Sequence, residues 1–181
     1  MSSTTPPSAH PVPQEHPQPE VPHPQVPGRP CSAAAALHLV GERWALLAVR
    51  ELFYGNHRFD QLVRNTGAPR DRLAVRLRAL EEAGVVERRR YSERPERFEY
   101  HLTTAGRDLS EVVRALIVWG DKWAVDEPPV AIVHRVPGHE DHEVDAVAVC
   151  RVCGEAVGVE NTALDVLSPG WTHAGPVPIT E

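Results

Sequence analysis

The stretch from Arg58 to Gly106, RFDQLVRNTGAPRDRLAVRLRALEEAGVVERRRYSERPERFEYHLTTAG, constrains this chain more than any other part of it. Phe59, Leu62 and Val63 recur at i, i+3 and i+4, which predicts a short helix over Phe59 to Asn65 with one buried side. Thr66-Gly67-Ala68-Pro69 then reads as a turn ending in a proline suited to a first helical position. A second helix is expected from Pro69 to Ala83, with Leu73, Leu77 and Leu80 on one stripe and Gly84 placed to end it. Val85 to Tyr91 and Phe98 to Leu102 follow as antiparallel strands, Phe98, Tyr100 and Leu102 alternating with Glu99 and His101. Ser92 to Arg97 is the loop between them. Two helices around a glycine turn and then a hairpin make a winged helix-turn-helix, so the fold class is mainly α with a small β-wing.

Charge sharpens that reading. The whole chain holds 19 Lys and Arg against 25 Asp and Glu, a net charge of -6. Arg43 to Arg107 reverses the sign, with 14 Arg against 9 acidic residues, while the remainder has 5 basic and 16 acidic ones. A basic module inside an acidic chain suits a phosphate-binding face, although Arg-rich helices also serve as plain solvated surface. Arg70, Arg72, Arg76 and Arg78 lie off the leucine stripe of the second helix, the one that enters the major groove in such folds. Arg88, Arg89, Arg90, Arg94 and Arg97 populate the hairpin. There they either meet phosphates and a flanking minor groove or pair with Glu93 and Glu96. Double-stranded DNA is therefore the expected partner. A winged helix used only for protein contact is the alternative, which an acidic second helix would have favoured.

Within the second helix, projection places Asp71, Val75 and Arg78 opposite the leucine stripe, with Arg72 on the flank. Arginine favours guanine O6 and N7, and small apolar side chains contact thymine methyls. The expected base readers are Arg70 or Arg72 for guanine and Ala74 or Val75 for thymine.

Three segments are expected. Residues 1 to 30 hold 10 of the 18 prolines among His, Gln, Ser and Glu, a composition that cannot bury an apolar face and predicts a disordered tail. Residues 31 to 125 form the DNA-binding and dimerisation domain. Ser32 is a fair N-cap for a helix over Ala33 to Val40, and Trp44, Leu47, Ala48, Glu51 and Leu52 form a second stripe, with Trp44 as a core anchor. After the wing, Leu109, Val112, Val113, Leu116, Ile117, Gly120 and Trp123 recur at spacings of 3 and 4, one more helix with a stripe to bury. Residues 126 to 181 are an acidic extension, whose Pro, Gly and Trp171 ending shows no interpretable pattern.

The residues from Cys31 to Val125 resemble the HxlR-type winged-helix regulators, relatives of the MarR group. The resemblance rests on Trp44, Leu46-Leu47, Arg50-Glu51-Leu52, Gly55, Arg58-Phe59-Asp60-Gln61-Leu62, Leu73 through Glu81, Gly84, Tyr91, Pro95, Phe98 through Thr103 and Gly106, in that order and spacing. It implies a dimeric, sequence-specific regulator of bacterial transcription, usually a local repressor, with the last helix packed across a two-fold axis. A small-molecule effector would sit between helices after assembly. The chain departs from the family at the start of the second helix, where Pro69-Arg70-Asp71 replaces a common Ser-Pro-Lys and Ala74-Val75 follows Leu73.

Three cysteines do not make a disulfide framework. Some members of the family sense oxidants through a cysteine placed as Cys31 is, which implies a redox role; the plain reading is a small residue at a helix start. Cys150 and Cys153 form C-R-V-C-G, half of a structural zinc site, and His134, His139 and His142 precede it. Some longer members of the family carry a third cysteine where this chain has Pro137. A zinc site completed by His134 and His139 or His142, a degenerate zinc ribbon and a redox dithiol are the three readings. Those histidines and cysteines lack the order of a zinc deaminase. Phosphate-loop and G-x-S-x-G patterns are missing as well, so catalysis is not expected. No apolar run reaches about 18 residues and the N-terminus has no apolar signal core, so a cytoplasmic protein without membrane contact is expected.

Overall fold

The computed structural model describes residues 21 to 28 and 31 to 167. The tail expected over residues 1 to 30 lies mostly outside the described residues, and 21 to 28 carry no helix or strand. Two compact units are present, one formed chiefly by Leu39–Ser110 and the other by Pro24–His38 with the chain from Glu111 onward.

The first unit is the winged helix-turn-helix. Helices α2 (Arg43–Phe53), α3 (Phe59–Thr66) and α4 (Arg70–Glu82) precede strands β1 (Val86–Glu93) and β2 (Glu96–Leu102), and the short helix α5 (Thr104–Asp108) closes the order. Helix α1 (Ser32–Val40) precedes them and α6 (Ser110–Trp123) follows. The second unit adds the two-residue strands β3 (Val133–His134) and β4 (His142–Glu143) and a 3-10 turn at Val159–Asn161.

The leucine stripe of α4 does what its spacing predicts. Leu73, Leu77 and Leu80 are fully buried with Leu62 of α3 and Val49 of α2. Each such side chain contributes about 1.5 to 3 kcal/mol by leaving water, which fixes how α4 is rotated and hence which residues it turns outward. Pro69 is the residue before α4 rather than its first turn; its carbonyl accepts the Leu73 N–H at 2.9 Å. Helix α3 begins with Gln61 Oε1 accepting the Arg58 N–H at 3.0 Å. It ends at Gly67, whose φ of +67° is left-handed backbone that costs glycine nothing.

Two expectations change in detail. The strands run on to Glu93 and Glu96, because Arg94-Pro95 turns the chain tightly where a longer loop was expected. The single helix after the wing becomes two, α5 and α6, separated at Leu109. Trp44 is half-buried, with the Arg43 guanidinium 4.2 Å above its ring, so it is not the core anchor of α2. Ala45, Ala48, Val49 and Leu52 fill that place.

Glu51 is the one charged residue buried among the described residues, 4% exposed. Its Oε1 accepts from Arg50 Nε at 3.1 Å and Nη2 at 2.8 Å, and its Oε2 from Asn56 Nδ2 at 2.8 Å and Asn65 Nδ2 at 3.0 Å. One carboxylate thereby ties α2 to the following turn and to α3. Glu51→Ala leaves a guanidinium and two amides without an acceptor and is expected to cost about 3 kcal/mol. Urea unfolding of the two proteins checks this, through a lower midpoint at unchanged slope. Glu51→Gln should recover little of the loss, since its amide nitrogen faces donors.

Candidate nucleic-acid interface

The outward side of α4 carries Asp71, Arg72, Val75 and Arg78, all exposed, and Val75 is 50% exposed despite its apolar side chain. Ala74 is half-buried. The arginines grouped together by sequence separate by their partners. Arg70 Nη1 lies 2.8 Å from Asp60 Oδ1, and its guanidinium sits over the Phe59 ring. Arg76 is turned toward Glu42, 3.8 Å away, and only 28% of its side chain is exposed. Neither Arg72 nor Arg78 has a carboxylate within ion-pair distance among the described residues. The Arg70 guanidinium is thus shared with a carboxylate of α3, and that of Arg72 is not.

The wing sorts in the same way. Arg88 reaches Glu81 at 3.9 Å and covers the Phe98 ring at 4.1 Å, which anchors the hairpin to α4. Arg89 pairs with Glu87 on its own strand. Arg90 lies between Glu93 at 3.6 Å and Glu96 at 3.7 Å. Arg94 and Arg97, at the tip, are exposed and have no such partner among the described residues. Tyr100, half-buried on β2, has its phenol pushed up by burial, with the Arg88 guanidinium opposing. Between the start of α3 and the wing runs a groove of about 650 Å³, lined in part by Arg58, Arg64, Arg70, Tyr91 and Arg97. Arg58 stands over the Tyr91 ring and pairs with Glu99 at 3.2 Å.

The remaining singled-out residues lie elsewhere. Cys31 is exposed immediately before α1 and its carbonyl accepts the Ala35 N–H. Cys150 and Cys153 form a knuckle closed by Gly154 N–H to the Cys150 carbonyl at 2.7 Å. The backbone N–H groups of Cys153 and Val152 and the Cys153 thiol lower the Cys150 thiol from its ordinary value. His134 and His142 face each other across β3 and β4, Nδ1 to Nε2 at 3.4 Å, and His142 Nδ1 donates to the Glu140 carbonyl. His139 is exposed in the turn between them. Among the described residues no three histidine, cysteine or acidic side chains converge closely enough to hold a metal. Of the predicted ligands, Cys150 and Cys153 share a knuckle, His134 lies against His142 in a separate hairpin, and His139 stands in the turn between those two histidines.

Sequence reasoning missed the pairing of His57 with His101. The rings stack with centroids 4.3 Å apart and 21° between planes. His57 is fastened to β2 twice, by Tyr100 N–H to the His57 carbonyl and by His57 Nδ1 to the Tyr100 carbonyl, each at 2.9 Å. Two lone histidines far apart in the chain carry no sequence signal of this. Only the alternation of β2, which sets His101 opposite Tyr100, hinted at its side of the sheet.

Comparison with known proteins agrees with this architecture. Residues 39 to 128 match the model of the HxlR-like helix-turn-helix family. An uncharacterized HTH-type transcriptional regulator of Mycobacterium tuberculosis is 46% identical over 132 residues, which span 72% of this chain and 82% of the relative. One from Synechocystis is 37% identical over 101 residues, covering 55% of this chain and 75% of that one. A solved structure of a candidate transcription factor superposes with a TM-score of 0.65 at 31% identity, covering 75% of this chain and 94% of that one. A second, from Pseudomonas aeruginosa, does so with a TM-score of 0.53 at 32% identity, covering 80% and 97%.

Proposed function

The chain belongs to the HxlR-like helix-turn-helix family and is a DNA-binding transcriptional regulator, and from that premise we propose that it acts as a homodimer on an inverted-repeat operator, as a repressor. The observation that carries the DNA-reading part is the outward side of α4. Arg72 and Arg78 flank Val75 there, without carboxylate partners among the described residues, while the opposite stripe is locked into the core. A helix held this way presents guanidinium donors and an apolar contact to base edges without reorganising. The exposed Arg94 and Arg97 at the wing tip reach the flanking backbone or minor groove and set register.

Dimerisation is supported by α6. Val112, Leu116, Trp119 and Trp123 form one stripe along it, and all four are exposed, Leu116 at 51% and Trp119 at 61%. Such a stripe on a regulator is satisfied by a second copy, and two recognition helices about one duplex turn apart then read two half-sites. Bound across a promoter, the dimer blocks transcription by occupancy.

Arg72→Ala tests the base-reading role. A bidentate contact to guanine predicts a loss of about 1 to 3 kcal/mol on the best site and a relaxed preference at one base pair per half-site. Anisotropy titrations against a panel of single-base operator variants distinguish the roles. An equal proportional loss on every variant would make Arg72 a phosphate contact.

A further inference from the structure

A cavity of about 490 Å³ opens in the winged-helix unit between the C-terminal end of α2, the root of the wing and α5. Its apolar wall is Leu52, Phe53 and Leu102. The ionisable side chains that line it are His57, His101, Arg89 and Arg107, and no carboxylate is among the lining residues. Two nearby acids are spent on lining side chains and on Arg58. Glu87 holds Arg89, and Glu99 lies 3.2 Å from Arg58 and 3.6 Å from His101.

The donors that remain point to one kind of guest. A carbonyl oxygen only accepts, so His57 Nδ1 carries the proton donated to Tyr100, which leaves Nε2 as the ring atom that can face a ligand. Arg107 spends Nη1 on the Leu102 carbonyl at 2.9 Å and Nη2 on Thr104 Oγ1 at 3.1 Å, which fixes its guanidinium in place. Positive charge on both rings of a pair stacked at 4.3 Å is unfavourable, and Glu99 offsets it on the His101 side alone, so an anion lying against both rings relieves it. We propose that this cavity binds a small organic monoanion, a carboxylate on an apolar body, with the carboxylate against the His57–His101 pair and Arg107 and the body against Phe53 and Leu102. The volume falls in the range of small-molecule sites, which combine apolar walls with a few converging polar groups. Because His57 lies two residues before α3 and His101 and Arg89 belong to the wing strands, the guest couples the wing root to the entrance of the helix-turn-helix. That makes it an effector site, a role beyond the DNA-reading function.

Proton linkage supplies the signature. The groups facing His101 are Glu87 and Arg89 of β1, Glu99 of β2, His57 and, from α5, Arg107. Burial lowers the His101 imidazole, with His57 and Arg89 adding to the effect and Glu99 opposing it. A bound anion favours the imidazolium, so binding takes up a proton and tightens as pH falls toward the range where the free ring titrates.

The test is calorimetry of the full chain with sodium 1-naphthoate, in two buffers of different ionisation enthalpy, at about pH 8 and about pH 6.5. Uncharged 1-naphthamide and inorganic phosphate serve as comparison ligands, and no DNA is involved, so the result is independent of the operator. Naphthoate should bind with net proton uptake, more tightly at the lower pH and at least about tenfold more tightly than the amide. His101→Phe keeps the stacked ring but not the charge; proton uptake should fall and affinity drop about fivefold or more. No naphthoate binding, equal binding of the amide, or binding without proton uptake in the unaltered protein would overturn the proposal, whatever the variant does. Phosphate binding as tightly as naphthoate would overturn the apolar-body assignment.

Discussion

Gly106→Ala is expected to be the most damaging single-methyl change in the winged-helix unit. A Cβ at this position would lie 2.1 Å from the Val85 carbonyl oxygen, 3.2 Å from its carbon and 3.0 Å from Leu102 Cδ2. Two of those neighbours are backbone and cannot turn away. The same junction is fixed by Thr103, whose N–H donates to the Val85 carbonyl at 3.1 Å and whose hydroxyl donates to the Gly84 carbonyl at 2.6 Å. Thr103 Oγ1 in turn accepts the Gly106 N–H at 3.2 Å and caps α5. The added methyl must push α5 off the root of β1, an overpacking cost of about 3 kcal/mol or more. At the size of this unit that lowers Tm by roughly 15 °C, measurable by scanning calorimetry. A Tm within about 3 °C of the parent would mean that the close approach does not govern stability.

Leu116→Arg is expected to give the largest effect on function. Leu116 lies in the middle of the exposed stripe of α6. A charge there leaves each chain folded but places two guanidiniums against each other across a two-fold interface, which costs several kcal/mol. Sedimentation should show the proposed dimer replaced by a monomer at micromolar concentration, with thermal stability of the winged helix retained. Binding to a two-half-site operator should weaken by about a hundredfold or more, because each monomer then holds one half-site without the other. A variant that remains dimeric would move the interface to another surface.

The fold was legible in the sequence where one periodicity dominated. The stripe of Leu73, Leu77 and Leu80 and the alternation of Phe98, Tyr100 and Leu102 each have a single physical solution, and both elements form with ends shifted by a residue or a few. Partnership between charges was not legible. Arg70, Arg76 and Arg78 all lie off the leucine stripe in sequence, but Asp60 and Glu42, from elsewhere in the chain, engage the first two. The split between α5 and α6 was hidden because the apolar spacing of α6 already begins at Leu109, the residue that separates the two helices. Trp44 was overvalued for the same reason that Ala45 and Ala48 were undervalued. Close helix packing in α2 selects small residues, and the large ring is left at the margin with Arg43 over it. The His57–His101 pair depends on a non-local pairing between a loop and a strand, which no local pattern encodes.

The most direct test of the central claim is selection of genomic fragments by the purified full chain, followed by a salt titration on the best-enriched one. One short inverted repeat, bound by a dimer, is the expected result. With Arg72, Arg78, Arg94 and Arg97 of two chains on the DNA as proposed, affinity should fall by about a thousandfold between roughly 50 and 200 mM salt. No enrichment, or binding that is indifferent to salt, would contradict DNA recognition through this face.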